Sequence, residues 1–292
     1  MEAGRPGTLY LCATPIGNLE DVTLRVLRVL READLIAAED TRRTRKLLSH
    51  YDIHTPLTSY HEHNRRSKGE QLLEQLAAGR RVALVSDAGT PAVSDPGREL
   101  VAAALDRGIA VVPLPGPSAA LTALVASGLP TERFCFEGFL PPAGRARRER
   151  LESLRAESRT VIIYEAPHRL QKTLAELLAA LGDRPLAVAR ELTKQYEQIW
   201  RGGLAEAVEY FRAHPPRGEF TLVISGGGES DAAGRKKEAV EPWHELSLVE
   251  HVRSLEEQGA SRRDAMREVA RLRGVSRRVV YREVAGSGRE ER

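Results

Sequence analysis

The stretch at residues 82–97, VALVSDAGTPAVSDPG, constrains the fold of this chain more than any other. Its first four residues are all apolar, which predicts a buried strand of a parallel sheet. The strand stops at a turn in which Gly89 permits backbone conformations that few other residues adopt. Asp95 and Pro96 are then the residue types favoured at the N-cap and at the first position of a helix. The stretch therefore predicts a loop at the carboxyl end of a strand, where open α/β sheets bind ligands.

Two other strands in the first half of the chain end on loops of the same character. A strand at residues 8–14 leads into TPIGN, and a strand at residues 35–38 leads into EDTR. Helical spacing of apolar residues follows each strand, so the region predicts a parallel sheet of alternating strands and helices. Parallel strands present their carboxyl ends on one side, so TPIGN, EDTR and SDAGTP should share one edge. Any one loop alone also fits an ordinary connection that binds nothing.

The break at Pro115-Gly116-Pro117-Ser118 predicts a domain boundary, with one α/β domain at residues 8–115 and a second at residues 116–228. In the second domain, predicted strands at residues 186–191 and 197–201 are separated by five residues. That gap is too short for a parallel crossover, so this sheet is predicted to be mixed or antiparallel. The fold class is therefore α/β, with a parallel-sheet domain followed by a mixed-sheet domain.

The C-terminal region differs in composition from the rest of the chain. Residues 229–243 predict a polar linker, and residues 244–285 predict a three-helix bundle that resembles a helix-turn-helix. Residues 259–292 hold ten Arg against five acidic residues, an excess of five on a chain of net charge +3, so the remainder carries −2. This predicts a polyanion partner, although a solvated helix surface has the same composition. The arginines expected to contact this polyanion are Arg262, Arg263, Arg271, Arg277, Arg278 and Arg282.

Several other classes of protein are disfavoured. Cys12 and Cys135 lie in apolar runs, which predicts buried free thiols and a reducing cytoplasm, and no cysteine spacing suits a metal. The N-terminal MEAGRPG lacks the apolar core of a signal peptide. The longest uncharged window, residues 108–131, is interrupted by Pro and Gly, so no membrane span is expected.

Taken in order, the motifs resemble those of a known family. They are TPIGNLEDVTLR, AEDTR, SYHEHN, VSDAGTPAVSDPG, PGPSAA, YEAPHRL, ARELTKQYEQIWRG and GEFTLVI. This ordered set resembles the bacterial 16S ribosomal RNA ribose-2′-O-methyltransferase I family, a branch of the tetrapyrrole (class III) methylases. The basic tail also resembles the extension of this branch.

The resemblance implies the tetrapyrrole methylase fold, a homodimer, and S-adenosyl-L-methionine in the cleft between two α/β domains. It implies methyl transfer to the 2′-hydroxyl of a cytidine in the decoding region of 16S rRNA, with the small ribosomal subunit as partner. Carried over residue by residue, the cofactor contacts are Pro15, Asp87, Ala88, Gly89, Thr90, Pro91, Val93, Ser118, Ala119, Tyr164, Glu165, Phe220 and Thr221. The cofactor has no phosphate, and the chain has no Gly-rich phosphate loop with a Lys.

Methyl transfer from a sulfonium is an in-line displacement, so alignment of the reacting atoms matters most. A base would help to remove the proton of a ribose hydroxyl. The candidate catalytic residues are Glu39, Asp40, His61 and Lys194, with Arg42 and Arg169 as groups that position phosphate or substrate.

Structural roles compete with these assignments. Asp40 and Arg42 also suit the start of a helix, and Glu165 with His168 and Arg169 also suits an internal network. His61 belongs to the pattern HEH, which suits a metal, but a solvated or RNA-facing pair is expected and no metal is assigned.

Two other functions fit parts of the sequence. A small-molecule methylase of the same fold, acting on a tetrapyrrole-like precursor, would not need the basic tail. A nucleotide-binding RNA-interaction protein without catalysis would form no methylated product.

Overall fold

The computed structural model describes residues 7–227, 247–257, 260–273 and 275–287. The chain divides into two compact units, residues 1–228 and residues 229–292. Two five-stranded sheets form the described core of the first unit, and three helices form that of the second. The predicted linker at residues 229–243 lies outside the described residues.

The first sheet is entirely parallel, with the strand order β3-β2-β4-β1-β5. Its elements are β1 Thr8–Cys12, α1 Leu24–Glu32, β2 Leu35–Ala38, α2 Thr41–His50, β3 Leu57–Ser59, α3 Arg65–Ala77, β4 Val82–Val85, α4 Gly97–Asp106 and β5 Ala110–Leu114. A short 3₁₀ turn, Leu19–Asp21, precedes α1 and was not predicted. Helices α1 and α2 pack on one face of this sheet, and α3 and α4 pack on the other.

The second sheet has the order β6-β7-β10-β8-β9. Its elements are α5 Ala119–Ser127, β6 Phe134–Phe139, α6 Gly144–Arg155, β7 Thr160–Glu165, α7 Pro167–Leu181, β8 Pro185–Arg190, β9 Gln198–Gly203, α8 Leu204–Ala213 and β10 Phe220–Ile224. Only β6 and β7 are parallel, whereas β7, β10, β8 and β9 pair antiparallel. The predicted fold class, with a parallel and then a mixed sheet, is confirmed.

The start of α4 differs by one residue from the prediction. The helix begins at Gly97, so Pro96 precedes it rather than opening it. The N-cap is Pro96 and not the predicted Asp95, and no side chain makes the capping hydrogen bond of this helix. Asp95 Oδ1 instead accepts from the amide of Gly97 at 2.7 Å and from the amide of Ala92 at 2.9 Å, which ties the preceding turn to the start of the helix.

The second unit consists of α9 Leu248–Glu257, α10 Arg262–Leu272 and α11 Arg277–Ser287. Its small core includes Val252, Ala265, Val269 and Val280. The three predicted helices are confirmed. In all the segments that the structure describes, no helix combines the length and apolar character needed to cross a membrane.

Both cysteines are free thiols. Burial raises the pKa of Cys12 to about 12. Burial, followed by the nearby charges of Glu157 and Glu137, raises the pKa of Cys135 to about 11. Neither thiol is therefore a reactive thiolate near neutral pH.

A buried ion network joins α6 and α7 to the end of β7. The Arg147 side chain is only 4% exposed and donates from Nε to Glu176 at 2.7 Å. Its Nη2 donates to the Thr173 hydroxyl at 2.7 Å, and its Nη1 donates to the Pro141 carbonyl at 2.9 Å. The Thr173 hydroxyl in turn donates to the Glu165 carboxylate at 2.5 Å. The network satisfies a buried cation and a buried anion together.

Replacing Arg147 with Ala should lower the free energy of unfolding by about 3–5 kcal/mol, because it leaves buried polar partners without their cation. Urea denaturation measures this change. Arg145→Ala is the matched control, since Arg145 lies in the same helix but pairs with Glu149 at the surface, and we expect a change within about 0.5 kcal/mol. Equal losses in both variants would show that the network contributes no more than a surface ion pair.

Candidate active site

The three polar loops of the first sheet meet at one edge. The backbones of Thr14 and Gly89 exchange hydrogen bonds of 2.8 and 2.9 Å, which joins TPIGN to SDAGTP. The amide of Asp40 donates to Asp87 Oδ1 at 2.8 Å, which joins EDTR to SDAGTP. The prediction that these loops share one edge is confirmed.

Gly89 forms the tight turn of the SDAGTP loop, beside the segment that leads into α5. Its φ is +80°, in the region that favours glycine, and an added Cβ would lie 3.5 Å from both Ile16 Cγ2 and the Pro117 carbonyl oxygen. The neighbouring Thr90 hydroxyl donates to that same carbonyl at 3.3 Å. Ser118 then caps α5 by accepting from the amide of Leu121. Backbone groups of two loops are thus held close together around a turn without a side chain.

The second sheet supplies the opposite wall. The amide of Asn18 donates to the Thr193 hydroxyl at 3.0 Å, and a Cβ on Gly17 would lie only 2.4 Å from Lys194 Cγ. Ile16 packs into the apolar cluster between α5 and the second sheet. The TPIGN loop therefore lies against the segment between β8 and β9, and we call the region where the two sheets of the first unit meet, beside the three loops, the cleft.

Backbone strain is concentrated in two loops that border this cleft. Non-glycine residues with positive φ include Ala92 at 69°, Ser94 at 63°, Glu191 at 49° and Thr193 at 66°. Such conformations cost about 1–3 kcal/mol each and are typical of functional sites. For Thr193, a β-branched residue, the strained backbone presents the hydroxyl to which Asn18 donates. The strain supports a functional role for the cleft.

Glu39 lies close enough to two other carboxylates at this edge to be affected by their charges. Burial raises the pKa of Glu39, and the negative charges of Asp87 and Asp95 raise it further. The Arg43 guanidinium, 3.8 Å from Asp87 Oδ2, offsets this rise only in part. Burial and these charges together hold Glu39 closer to neutrality than an exposed Glu.

Asp40 acts as a helix cap in this structure. It is the N-cap of α2, and its Oδ1 accepts from the amide of Arg42 at 2.8 Å. Hydrogen bonds from the Arg42 side chain and amide hold the pKa of Asp40 at about 2. A carboxylate with so low a pKa is a weak base at neutral pH. Capping, the competing role considered for Asp40 and Arg42, is the one that their contacts display.

Lys194 is held as a cation. Its Nζ donates to Glu191 at 2.9 Å and to Glu219 at 2.8 Å. Partial burial lowers the pKa of Lys194, but the hydrogen bonds to Glu219 and Glu191 outweigh burial and the net shift is upward. The ammonium group therefore organises the segment that contacts TPIGN.

His61 lies at the end of β3. Its amide donates to Asn64 Oδ1 at 2.9 Å, and its ring meets His63 edge to face with 5.9 Å between centroids. His61 Nδ1 is buried and has no hydrogen-bond partner among the described residues. Among all the residues that the structure describes, no group of three or more His, Cys, Asp or Glu side chains could hold a metal ion.

Strand alternation separates the predicted cofactor residues of the second sheet. Tyr164 belongs to the cluster on the α5 side with Ile16, whereas Glu165 points to the opposite face and into the Arg147 network. On β10, Phe220 likewise packs in the cluster on that opposite face. Thr221 pairs in register with Tyr164. The side chains of Glu165 and Phe220 therefore face away from the cleft.

Arg169, a predicted positioning group, also makes internal contacts. Its Nη2 donates to the Leu140 carbonyl at 2.6 Å, and its Nε lies 3.3 Å from Glu165 Oε1. The internal network considered as an alternative for this pair is present.

The cleft residues fit S-adenosyl-L-methionine, the cofactor that the resemblance implies. Asp87 is 29% exposed, and its Oδ2 lies too far from Arg43 for a hydrogen bond, so it can still accept from an amine or a hydroxyl. Pro15, Ala88 and Ala119 add small or apolar surface, Val93 is exposed, and Pro91 is buried. The carboxylates of Asp87 and Asp95 near Glu39 suit the sulfonium and ammonium groups of this cofactor.

Three residues contribute to the site but were not predicted from the sequence as site residues. Arg43 faces Asp87, Asp95 acts on the Glu39 pKa, and Thr193 accepts from the TPIGN loop. Asp95 follows the same strand as Asp87, so its proximity could have been inferred. No sequence pattern predicts the left-handed backbone conformation of Thr193, because that conformation depends on packing between the two sheets.

Solved structures show which fold this is. The first unit resembles cobalt precorrin-4 methyltransferase, with a TM-score of 0.58 at 18% identity over 75% of this chain and 94% of that chain. It also resembles uroporphyrin-III C-methyltransferase from Thermus thermophilus complexed with S-adenosylhomocysteine, with a TM-score of 0.55 at 23% identity over 75% of this chain and 97% of that chain. The fold is that of the tetrapyrrole methylases.

Comparison of the sequence with known families and proteins identifies the family and the branch within it. A model of the family described as Tetrapyrrole (Corrin/Porphyrin) Methylases matches residues 8–208. Two relatives named Ribosomal RNA small subunit methyltransferase I come from Halalkalibacterium halodurans, 54% identical over 94% of this chain and 93% of that protein, and Synechocystis, 51% identical over 94% and 96%. The chain belongs to the tetrapyrrole methylase family, in the branch that these ribosomal RNA small subunit methyltransferases I form.

Asp87→Asn should lower the pKa of Glu39, because it removes one of the negative charges that raise it while the side-chain oxygen can still accept from the Asp40 amide. NMR titration of a ¹³C-labelled Glu39 carboxyl measures the shift. Asp106→Asn removes an exposed carboxylate at the far end of α4 and should leave the Glu39 pKa unchanged. An unchanged value in Asp87→Asn would refute the electrostatic coupling.

Proposed function

We propose that this chain transfers a methyl group to the 2′-hydroxyl of a cytidine ribose in the decoding region of 16S rRNA. The observation that carries the proposal is the identity of 54% over 94% of the chain to a protein named Ribosomal RNA small subunit methyltransferase I. The cofactor is S-adenosyl-L-methionine, which supplies an electrophilic methyl group on a sulfonium when bound. The small ribosomal subunit is the proposed partner, and the cytoplasm is the proposed compartment.

In this proposal the first unit holds the methyl donor. Asp87 accepts from the amino group or a ribose hydroxyl of the cofactor, and the turn at Gly89 admits close approach by backbone groups. Tyr164 and Thr221 supply side chains from the second sheet. Glu165 and Phe220 support the strands that carry them, because their own side chains pack on the other face.

Glu39 is the proposed general base. It would accept the proton of the ribose 2′-hydroxyl, while the bound cofactor would supply the methyl group that this oxygen takes up. A raised pKa makes a carboxylate a stronger base, whereas Asp40 is held as a weak one by Arg42. Lys194 is protonated and has a structural role in TPIGN packing. His61, with its buried Nδ1 that has no partner among the described residues, is the candidate base if neither Glu39→Gln nor Asp40→Asn lowers kcat.

RNA binding is assigned to the second unit and to a basic rim of the first. The six arginines predicted in α10 and α11 provide phosphate contacts, which dominate affinity for nucleic acids. Arg42 lies at the exposed start of α2, which also carries Arg43, Arg45 and Lys46. A methylase that acts only on small molecules would not need the basic surface of the second unit, so this surface favours an RNA substrate.

A homodimer is also proposed. Leu121 and Val125, four residues apart on α5, share one helix face and are 50% and 73% exposed. Such an apolar face on a helix that borders the cleft suits burial by a second copy. Sedimentation velocity of the purified chain tests this, and a monomer at micromolar concentration would contradict it.

Incubation with methyl-tritiated S-adenosylmethionine and small ribosomal subunits that lack this methylation tests the reaction. We expect one methyl group per subunit, on a cytidine whose 3′ linkage resists alkaline hydrolysis because its 2′-oxygen is blocked. Label on a base, or no label in RNA, would overturn the proposal. Label in uroporphyrinogen instead would favour the small-molecule reaction.

Glu39→Gln should lower kcat by about 100-fold or more, the loss expected for a general base, and leave the cofactor Kd near the wild-type value. Asp40→Asn retains a capping side chain and should cost far less. Single-turnover methyl transfer and cofactor titration measure both quantities. A larger kcat loss in Asp40→Asn than in Glu39→Gln would reverse the assignment of the base.

A further inference from the structure

The second unit has a groove of about 360 Å³ between α10 and α11, a size within the range of small-ligand sites. Its lining residues are Arg263, Met266, Arg267, Arg277, Arg278 and Tyr281. Four guanidinium groups and one aromatic ring thus face one concave surface. This set differs from the six arginines predicted from the sequence.

Charge pairing distinguishes the arginines of the groove from those outside it. Arg271 lies outside and pairs with Glu268, and within the groove Arg267 meets Asp264 at 3.0 Å. By contrast, three groove arginines have no carboxylate within 4 Å among the residues described for this unit. They are Arg263, Arg277 and Arg278. Their positive charges are available to an anionic ligand.

Tyr281 presents an aromatic face at the same surface. Val280 and Val284 of α11 point into the core of the unit, which leaves Tyr281 outward and 65% exposed. No aromatic ring partner meets it in the part of the chain that the structure describes. An exposed ring beside unpaired guanidinium groups matches the way in which proteins bind unpaired nucleotides, by stacking and phosphate contacts.

We propose that this groove binds an unpaired RNA nucleotide, with its base stacked on Tyr281 and its flanking phosphates at Arg263, Arg277 and Arg278. The inference rests on the proposed function, in that the chain acts on RNA, and it adds a site for a single-stranded segment. A duplex presents phosphates but keeps its base faces covered, so it would leave Tyr281 unused. An acidic peptide would use the guanidinium groups but not the aromatic face.

Fluorescence anisotropy of the full chain with a labelled ten-nucleotide single-stranded RNA tests the groove. Tyr281→Ala should weaken binding about tenfold, the effect of one lost stacked base, and leave the salt dependence of log Kd unchanged because no charge is lost. Tyr281→Phe retains the ring and should keep the wild-type affinity. Arg277→Ala should weaken binding and lower the salt slope by about one.

An abasic ribose-phosphate oligomer of the same length serves as the matched ligand. We expect the wild-type chain to prefer the base-containing RNA about tenfold and Tyr281→Ala to lose that preference. Binding of a ten-base-pair RNA duplex should be the same in both chains. A preference for bases that survives in Tyr281→Ala, or wild-type affinity of that variant, would overturn the site.

Two further measurements separate this inference from the proposed function. If the wild-type chain methylates small subunits while Tyr281→Ala binds the decamer normally, only the groove assignment fails. If the wild-type chain methylates no RNA, the proposed function fails whatever the decamer shows. A poly-glutamate decapeptide that binds with the same dependence on Tyr281 would assign the groove to a protein partner instead.

Discussion

The backbone hydrogen bonds between Thr14 and Gly89 are the contact on which the site depends. They join the carboxyl ends of two parallel strands and turn the SDAGTP loop towards α5, where Thr90 donates to the Pro117 carbonyl. The TPIGN loop then reaches the second sheet through Asn18 and Thr193. These contacts follow one another along the edge of the first sheet and hold its loops against α5 and the second sheet.

The carboxylates of this edge have different roles because they lie next to different charged groups. Asp87 accepts from the Asp40 amide and faces Arg43, while its charge raises the pKa of Glu39. Asp40 is neutralised by Arg42, its neighbour two residues along the helix. Similar residues in one short segment thus become a ligand acceptor, a candidate base and a helix cap, since each has a different partner.

Much of the fold followed from local pattern. Strands β2 and β4 are apolar runs ended by acidic residues, and both have the predicted bounds. Parallel pairing then brought three polar loops to one edge, which needs only the direction of the strands. The predicted start of α4 was wrong by one residue. The Asp95 side chain accepts from an amide of the preceding turn as well as from the first amide of the helix, and local pattern does not reveal the first of these contacts.

The sequence by itself determined the α/β class, the shared edge of the three loops and the basic composition of the C-terminal helices, since these depend on periodicity, strand direction and residue type. Only the tertiary structure decided that Tyr164 faces the cleft while Glu165 joins Arg147 on the opposite face. It also decided which arginines surround Tyr281. The physical reason is that a side chain's role depends on the partners that distant segments bring to it, and those partners exist only once the sheets and helices have packed.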